Sequence, residues 1–138
     1  MNELKILKTR MVARDGTPVK LIYDEEGDIL EILFGEAVPS TGIALTDNII
    51  LHLERKQKRA VSLMLLNFSI LSEQTEYGPR SFALEKLRSL PEELQELVLR
   101  VITTLPVNQF LKMSQLQTAP MKQMPVAFVE SQPMLAYA

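Results

Sequence analysis

With 138 residues, 46% of them hydrophobic and 23% charged, the chain is sized for one domain with a buried core and is not disordered in composition. A net charge of −2 removes any general reason to expect nucleic acid or a membrane as partner, and the absence of cysteine removes disulfides, thiol nucleophiles and cysteine-ligated metals. The opening MNELKILKTR holds no run suited to a signal peptide, and no stretch approaches the roughly 20 apolar residues that span a bilayer, so the expectation is a soluble cytoplasmic protein.

Residues 1–18 form an N-terminal segment without a sustained period. Asp15-Gly16 is a hairpin signal that would fold 8–14 back on 17–23 and make this segment a candidate edge strand. Lys5, Lys8, Arg10, Arg14 and Lys20 outnumber Glu3 and Asp15 here. A solvated edge guarded by positive charge accounts for them more simply than a binding stripe.

A single α+β domain is expected over 19–105. It opens with a hairpin of 19–24 and 28–34, whose turn Glu25-Glu26-Gly27 places glycine where positive φ is allowed. Leu30, Ile32 and Phe34 alternate with Ile29, Glu31 and Leu33, so the two sets face opposite sides of a sheet. A third strand spans roughly 43–54, with a bulge or short turn at Thr46-Asp47-Asn48. Ile49, Leu51 and Leu53 share one face of it, Ile50, His52 and Glu54 the other. The charged turn 54–59 leads to a strand at about 60–68, apolar on both faces: Val61, Leu63 and Leu65 against Ser62, Met64 and Leu66. A sheet with one wet face would be polar on one side, so the second face is expected to be covered, by the chain's own arm or by a second copy.

Residues 69–80 read as a loop, and 82–88 as a short helix. Ser89-Leu90-Pro91-Glu92 suits a helix start, with Glu92 and Glu93 at the positive end of the dipole. Leu94, Leu97, Val98, Val101, Ile102 and Leu105 then recur at helical spacing, and Pro106 closes the helix. Burying six such side chains contributes on the order of 10 kcal/mol before opposing terms. Residues 106–138 are rich in Gln, Met and Pro and read as an extended C-terminal arm, with a strand candidate at 125–129.

Tyr23, Asp24, Glu26 and Asp28, followed by Leu30, Ile32 and Phe34 at alternate positions, form a hairpin pattern. By it the stretch 22–69 resembles a small prokaryotic family, domain of unknown function 2283, in its opening hairpin. Leu65, Leu66, Asn67, Phe68 and Ser69 follow the pattern of its last strand, while Ser62 and Met64 depart from the glycine and glutamate usual there. The resemblance implies a compact antiparallel sheet with helical additions and no assigned reaction. A weak association of some members with small toxins makes an antitoxin-like role an alternative.

Candidate chemistry is sparse. Asp24, Glu25, Glu26 and Asp28 could ligate a hard cation, but their spacing is not that of a calcium loop and a soluble turn explains them. His52 is the sole histidine and has no orienting partner evident in the sequence. Arg55, Lys56, Lys58 and Arg59 could touch phosphates but lack aromatic residues nearby for base stacking. No phosphate loop, nucleophile elbow or paired-histidine motif is present. The resulting expectation is an antiparallel sheet of about four strands on one main helix, without catalytic residues, metal or cofactor. It is expected to work as a self-associating interaction module whose contact residues are Ile50, Met64, Leu66, Phe110 and Phe128, with a protein partner also conceivable. The alternatives are a nucleic-acid-associated regulator using the four cations and a metal-dependent enzyme using the acidic turn.

Overall fold

The computed structural model describes residues 6–71, 73–75, 78–79, 82–119 and 122–129, with backbone alone at 74–75, 78–79, 113–119 and 122–129. Its centre is an antiparallel sheet of six strands: β1 (Ile6–Val12), β2 (Pro18–Asp24), β3 (Ile29–Phe34), β4 (Thr41–Ala44), β5 (Ile49–Glu54) and β6 (Arg59–Leu66). They lie in the order β1-β2-β3-β6-β5-β4. Two three-stranded meanders, β1-β2-β3 and β4-β5-β6, thus meet along a β3–β6 seam.

The expected four strands become six because two escape the alternation rule. β1 is a cation-bearing edge paired with β2 along its whole length, Ile6 opposite Asp24 through Val12 opposite Pro18. β4 is severed from β5 by a true turn at 45–48. There the Thr46 hydroxyl accepts from the Asn48 and Ile49 amides at 3.0 Å each, and the Leu45 amide donates to the Ile49 carbonyl at 2.8 Å. Local side-chain acceptors of this kind favour a turn over a continuing strand.

The two long hairpins turn alike. Each has a four-residue reversal, 25–28 and 55–58, whose last residue is left-handed: Asp28 and Lys58 both at φ 55°. Each is capped by the acid just before it. Asp24 accepts from the Gly27 amide at 3.2 Å, and Glu54 from the Lys56 and Gln57 amides at 3.0 and 2.7 Å. Gly27 is therefore not the positive-φ residue of the first turn. A Cβ there would lie 3.0 Å from the Asp24 carboxylate, so glycine permits that close approach.

One face of the sheet is the core. Val19, Leu21, Ile32, Phe34, Ile43, Ile49, Leu51, Leu53, Leu63 and Leu65 are all buried on it. A bulge between His52/Leu53 and the start of β6 sets Ala60 opposite Leu53 and Ser62 opposite His52, leaving Val61 unpaired between them.

After β6, a single helical turn, α1 (Phe68–Leu71), precedes two short strand pieces that pair with each other, β7 (Gln74–Thr75) and β8 (Gly78–Pro79). Where a short helix was expected, β9 (Phe82–Ala83) is followed by a 3-10 turn, Glu85–Ser89. Helix α2 runs Glu92–Ile102, shorter than its apolar pattern, with Pro91 rather than Ser89 before its first turn. It ends ahead of Pro106: the Thr103 amide makes the closing helical bond, to the Leu99 carbonyl at 3.1 Å, and the Thr103 and Thr104 hydroxyls donate to the Leu99 and Arg100 carbonyls at 2.6 and 2.8 Å. Leu105 consequently falls off the stripe and is exposed, while Val98, Val101 and Ile102 enter the core.

A second 3-10 turn, Val107–Gln109, leads into the hairpin of β10 (Leu111–Ala119) and β11 (Lys122–Val129). β11 also pairs with β9. Buried Gln109 accepts from the Arg14 amide at 3.0 Å, linking the β1–β2 turn to the segment after α2.

Candidate functional site

The Tyr23–Asp28 pattern builds a hydrogen-bonded corner. The Asp28 carboxylate accepts from the Tyr23 hydroxyl at 2.6 Å, the Ser69 hydroxyl at 2.6 Å and the Ser69 amide at 3.1 Å. The Asp28 carbonyl accepts from the Phe68 amide at 2.9 Å, and the Tyr23 and Phe68 rings meet edge-to-face at 5.7 Å. Asn67, left-handed at φ 56°, donates from its side chain to Asn48 at 2.9 Å. These residues thus fasten β3, α1 and the β4–β5 turn together. Donors from Ser69 and Tyr23 hold the Asp28 carboxyl below its usual range. The same bond to Asp28, then burial, pushes the Tyr23 hydroxyl up to about 12. A carboxylate held by three donors in this way braces the corner.

The acidic turn does not converge. Asp24 is spent on its turn amide and Asp28 on Ser69 and Tyr23, and among the described residues no three His, Cys, Asp or Glu side chains group to hold a metal. His52 stands on the sheet face away from the core, over Gly42, whose Cβ would lie 3.6 Å from its Nε2, and opposite Ser62.

The four cations of the second turn also diverge. Arg59 donates to the Phe34 and Glu36 carbonyls at 3.1 and 2.6 Å, pinning the chain after β3. Arg55 and Lys58 line a cleft of about 320 Å³ against α2 with Arg100, but Glu93 and Glu96 line it too, so the cleft is close to neutral. Lys56 is exposed. An electrostatic footprint for a phosphate backbone needs a one-signed stripe, and this turn does not form one.

What remains is the outer face of the sheet. Strand register sets Ile29 beside Leu66, then Ile22, Glu31, Met64, Ile50 and Ala44 in one row, and Lys20, Leu33, Ser62, His52 and Gly42 in the next. Ile22, Ile29, Leu33, Ile50, Met64 and Leu66 are half-buried by their sheet neighbours, and none belongs to the core cluster or packs against it. Three of the expected contact residues, Ile50, Met64 and Leu66, are therefore brought together. Phe110 is not among them. It is buried on the opposite face with its ring 5.9 Å from that of Phe34, because the chain leaving α2 turns into the core before its hairpin begins. The Phe128 side chain lies outside the described residues. Ile22, Ile29 and Leu33 were missed as contact residues, although alternation already placed Ile29 and Leu33 opposite the core set.

Compared with family models, curated proteins and solved structures, the chain gives no significant match. Among the described residues no helix is long and apolar enough to cross a membrane.

Proposed function

We propose that the protein is a non-catalytic interaction module that self-associates through the outer face of its six-stranded sheet. The observation carrying this reading is the contiguous patch of Ile22, Ile29, Leu33, Ile50, Met64 and Leu66 outside the core cluster. Apolar patches of this kind mark interfaces, and a second copy is the occupant that symmetry favours.

The face is complementary to itself. A two-fold axis along the strands between β3 and β6 would lay β2 over the partner's β5 and β3 over its β6. Ile22 would then face Ile50, Ile29 would face Leu66, and the stem of Glu31 would lie on Met64. Lys20 would face His52, with no like carboxylates opposed in these rows. The resemblance to the family of domain of unknown function 2283 is retained as part of this proposal, resting on the Tyr23–Asp28–Ser69 corner.

Native mass spectrometry of the untagged protein at micromolar concentration is expected to report a dimer without extra mass. The double variant Ile50→Glu, Met64→Glu is expected to weaken the dimer about a hundredfold, with an unchanged far-ultraviolet circular dichroism spectrum. A wild-type monomer, or a dimer indifferent to both substitutions, overturns the reading. A monomer that carries bound metal or ligand would return attention to the acidic turn and His52.

A further inference from the structure

The six-stranded sheet ends on β1, and along its free side no described strand is paired. This edge is long and carries much of the exposed apolar surface: Ile6, Leu7 and Val12 are 42%, 56% and 57% exposed. It also carries Lys8 and Arg10, both exposed, with Lys20 beside Arg10 on β2. None of the three side chains makes an ion pair or hydrogen bond among the described residues. At the Val12 end, a recess of about 400 Å³ opens between Arg10, Met11, Val12, Pro18, Val19, Lys20 and Gly35.

Unpaired edges template further strands unless guarded. The guard here discriminates. A second copy continuing the sheet by antiparallel pairing of β1 with β1 must set residues of the same face opposite each other. The central registers then put Lys8 opposite Arg10, Lys8 opposite Lys8, or Arg10 opposite Arg10. Like charges directly opposite are destabilising, and opposite charges stabilise a cross-strand pair. The edge is thus closed to itself and open to acids spaced two residues apart, with apolar side chains for the neighbouring positions and the recess.

We propose that β1 is a strand-acceptor edge that takes an extended acidic segment of a partner protein, apolar at alternate positions, as a seventh strand. Main-chain hydrogen bonds supply the attachment, and alternate side chains select the partner. The main-chain groups on the free side of β1 stay open in the face-to-face dimer, whereas Lys8 and Arg10, in register with Ile22 and Lys20, share the face that the dimer covers. The dimer-breaking variant Ile50→Glu, Met64→Glu should therefore bind the segment at least as tightly as the wild type does.

The probe is a fluorescein-labelled seven-residue peptide alternating valine with aspartate, titrated by fluorescence anisotropy at fixed salt. Saturable binding with one peptide per chain is expected. The same peptide with lysine for aspartate should bind at least about tenfold more weakly, and the acidic peptide N-methylated at alternate amides should lose binding. Lys8→Glu, Arg10→Glu should invert the preference between the acidic and basic peptides. Absence of acidic-peptide binding overturns the proposal, as does equal binding of the N-methylated peptide, which would reduce the contact to charge alone. A single-stranded DNA oligomer binding more tightly than the peptide overturns it in favour of a nucleic-acid surface. These peptide comparisons decide the matter on the wild type, should the charge-reversed chain not fold.

Discussion

Phe34→Ala is expected to lower the free energy of unfolding by about 4 kcal/mol, the usual cost of emptying a buried phenylalanine site. Phe34 is fully buried at the end of β3, and its ring is tilted 56° against that of Phe110 at a centroid distance of 5.9 Å. Its carbonyl also accepts from Arg59, so the backbone is pinned and cannot sink to close the gap. Against a typical domain stability of about 5–15 kcal/mol, such a loss takes a large share. Urea unfolding followed by circular dichroism measures it. Hydrogen exchange should show the amides of Phe110 and Leu111 losing protection first, because their anchor is the ring removed. A loss under about 2 kcal/mol would show that the Phe34–Phe110 contact does not hold the segment after α2 to the sheet.

Asp28→Ala should cost about 3 kcal/mol, from three donors left without their charged acceptor and a Cβ-bearing residue lacking local support at φ 55°. The pH profile separates this corner from general destabilisation. The Asp28 carboxyl is depressed in the folded state, so its contribution is present above the ordinary aspartate value near ~3.9 and is lost as pH falls through the lower folded value. The Tyr23 hydroxyl is raised, so its contribution is complete below the ordinary tyrosine value near ~10 and is lost as pH rises through about 12. Asp28→Asn should flatten the acid limb of the stability profile. Tyr23→Phe keeps the ring on Phe68 and should flatten the alkaline limb. Unchanged limbs in both variants would show that the corner does not couple protonation to folding.

Alternation made the inner strands legible. Leu30, Ile32 and Phe34, and then Ile49, Leu51 and Leu53, face the core as their period of two requires. The same rule separated Ile50, Met64 and Leu66 from the core set, which is half of the candidate surface. It failed where periodicity carries no burial. β1 is exposed on both faces at most positions, so its sequence is free to mix charge with apolar residues. Val61 and Ala60 are both buried because a bulge sits between them, and a bulge shifts the side-chain period without altering composition. The left-handed position of the first turn fell to Asp28 rather than Gly27 because a four-residue reversal places it at the last residue, as at Lys58 in the second hairpin, and the Asp28 carboxylate adds bonds to Ser69, 41 residues away. Phe110 illustrates the same limit. Its destination depends on where α2 delivers the chain, and that is set by tertiary packing.

The pairing of two meanders across one seam has a consequence for how the chain reaches its native state. Within each half every strand pairs with its sequence neighbour through a turn of a few residues. The β3–β6 ladder, from Ile29 opposite Leu66 to Leu33 opposite Ser62, instead closes across most of the second half. Loop closure must precede the reward of that long-range contact. On this topology the two meanders are expected to assemble first and the seam to close last, an order that stopped-flow refolding of a seam variant such as Leu63→Ala would check through a slowed refolding rate. Until the seam closes, each half ends on an unpaired strand, Ile29–Phe34 or Arg59–Leu66, whose only polar residues are Glu31 in the first and Arg59 and Ser62 in the second. A newly made chain is therefore most prone to misassociation in that interval, through the seam strands and not through the charged edge.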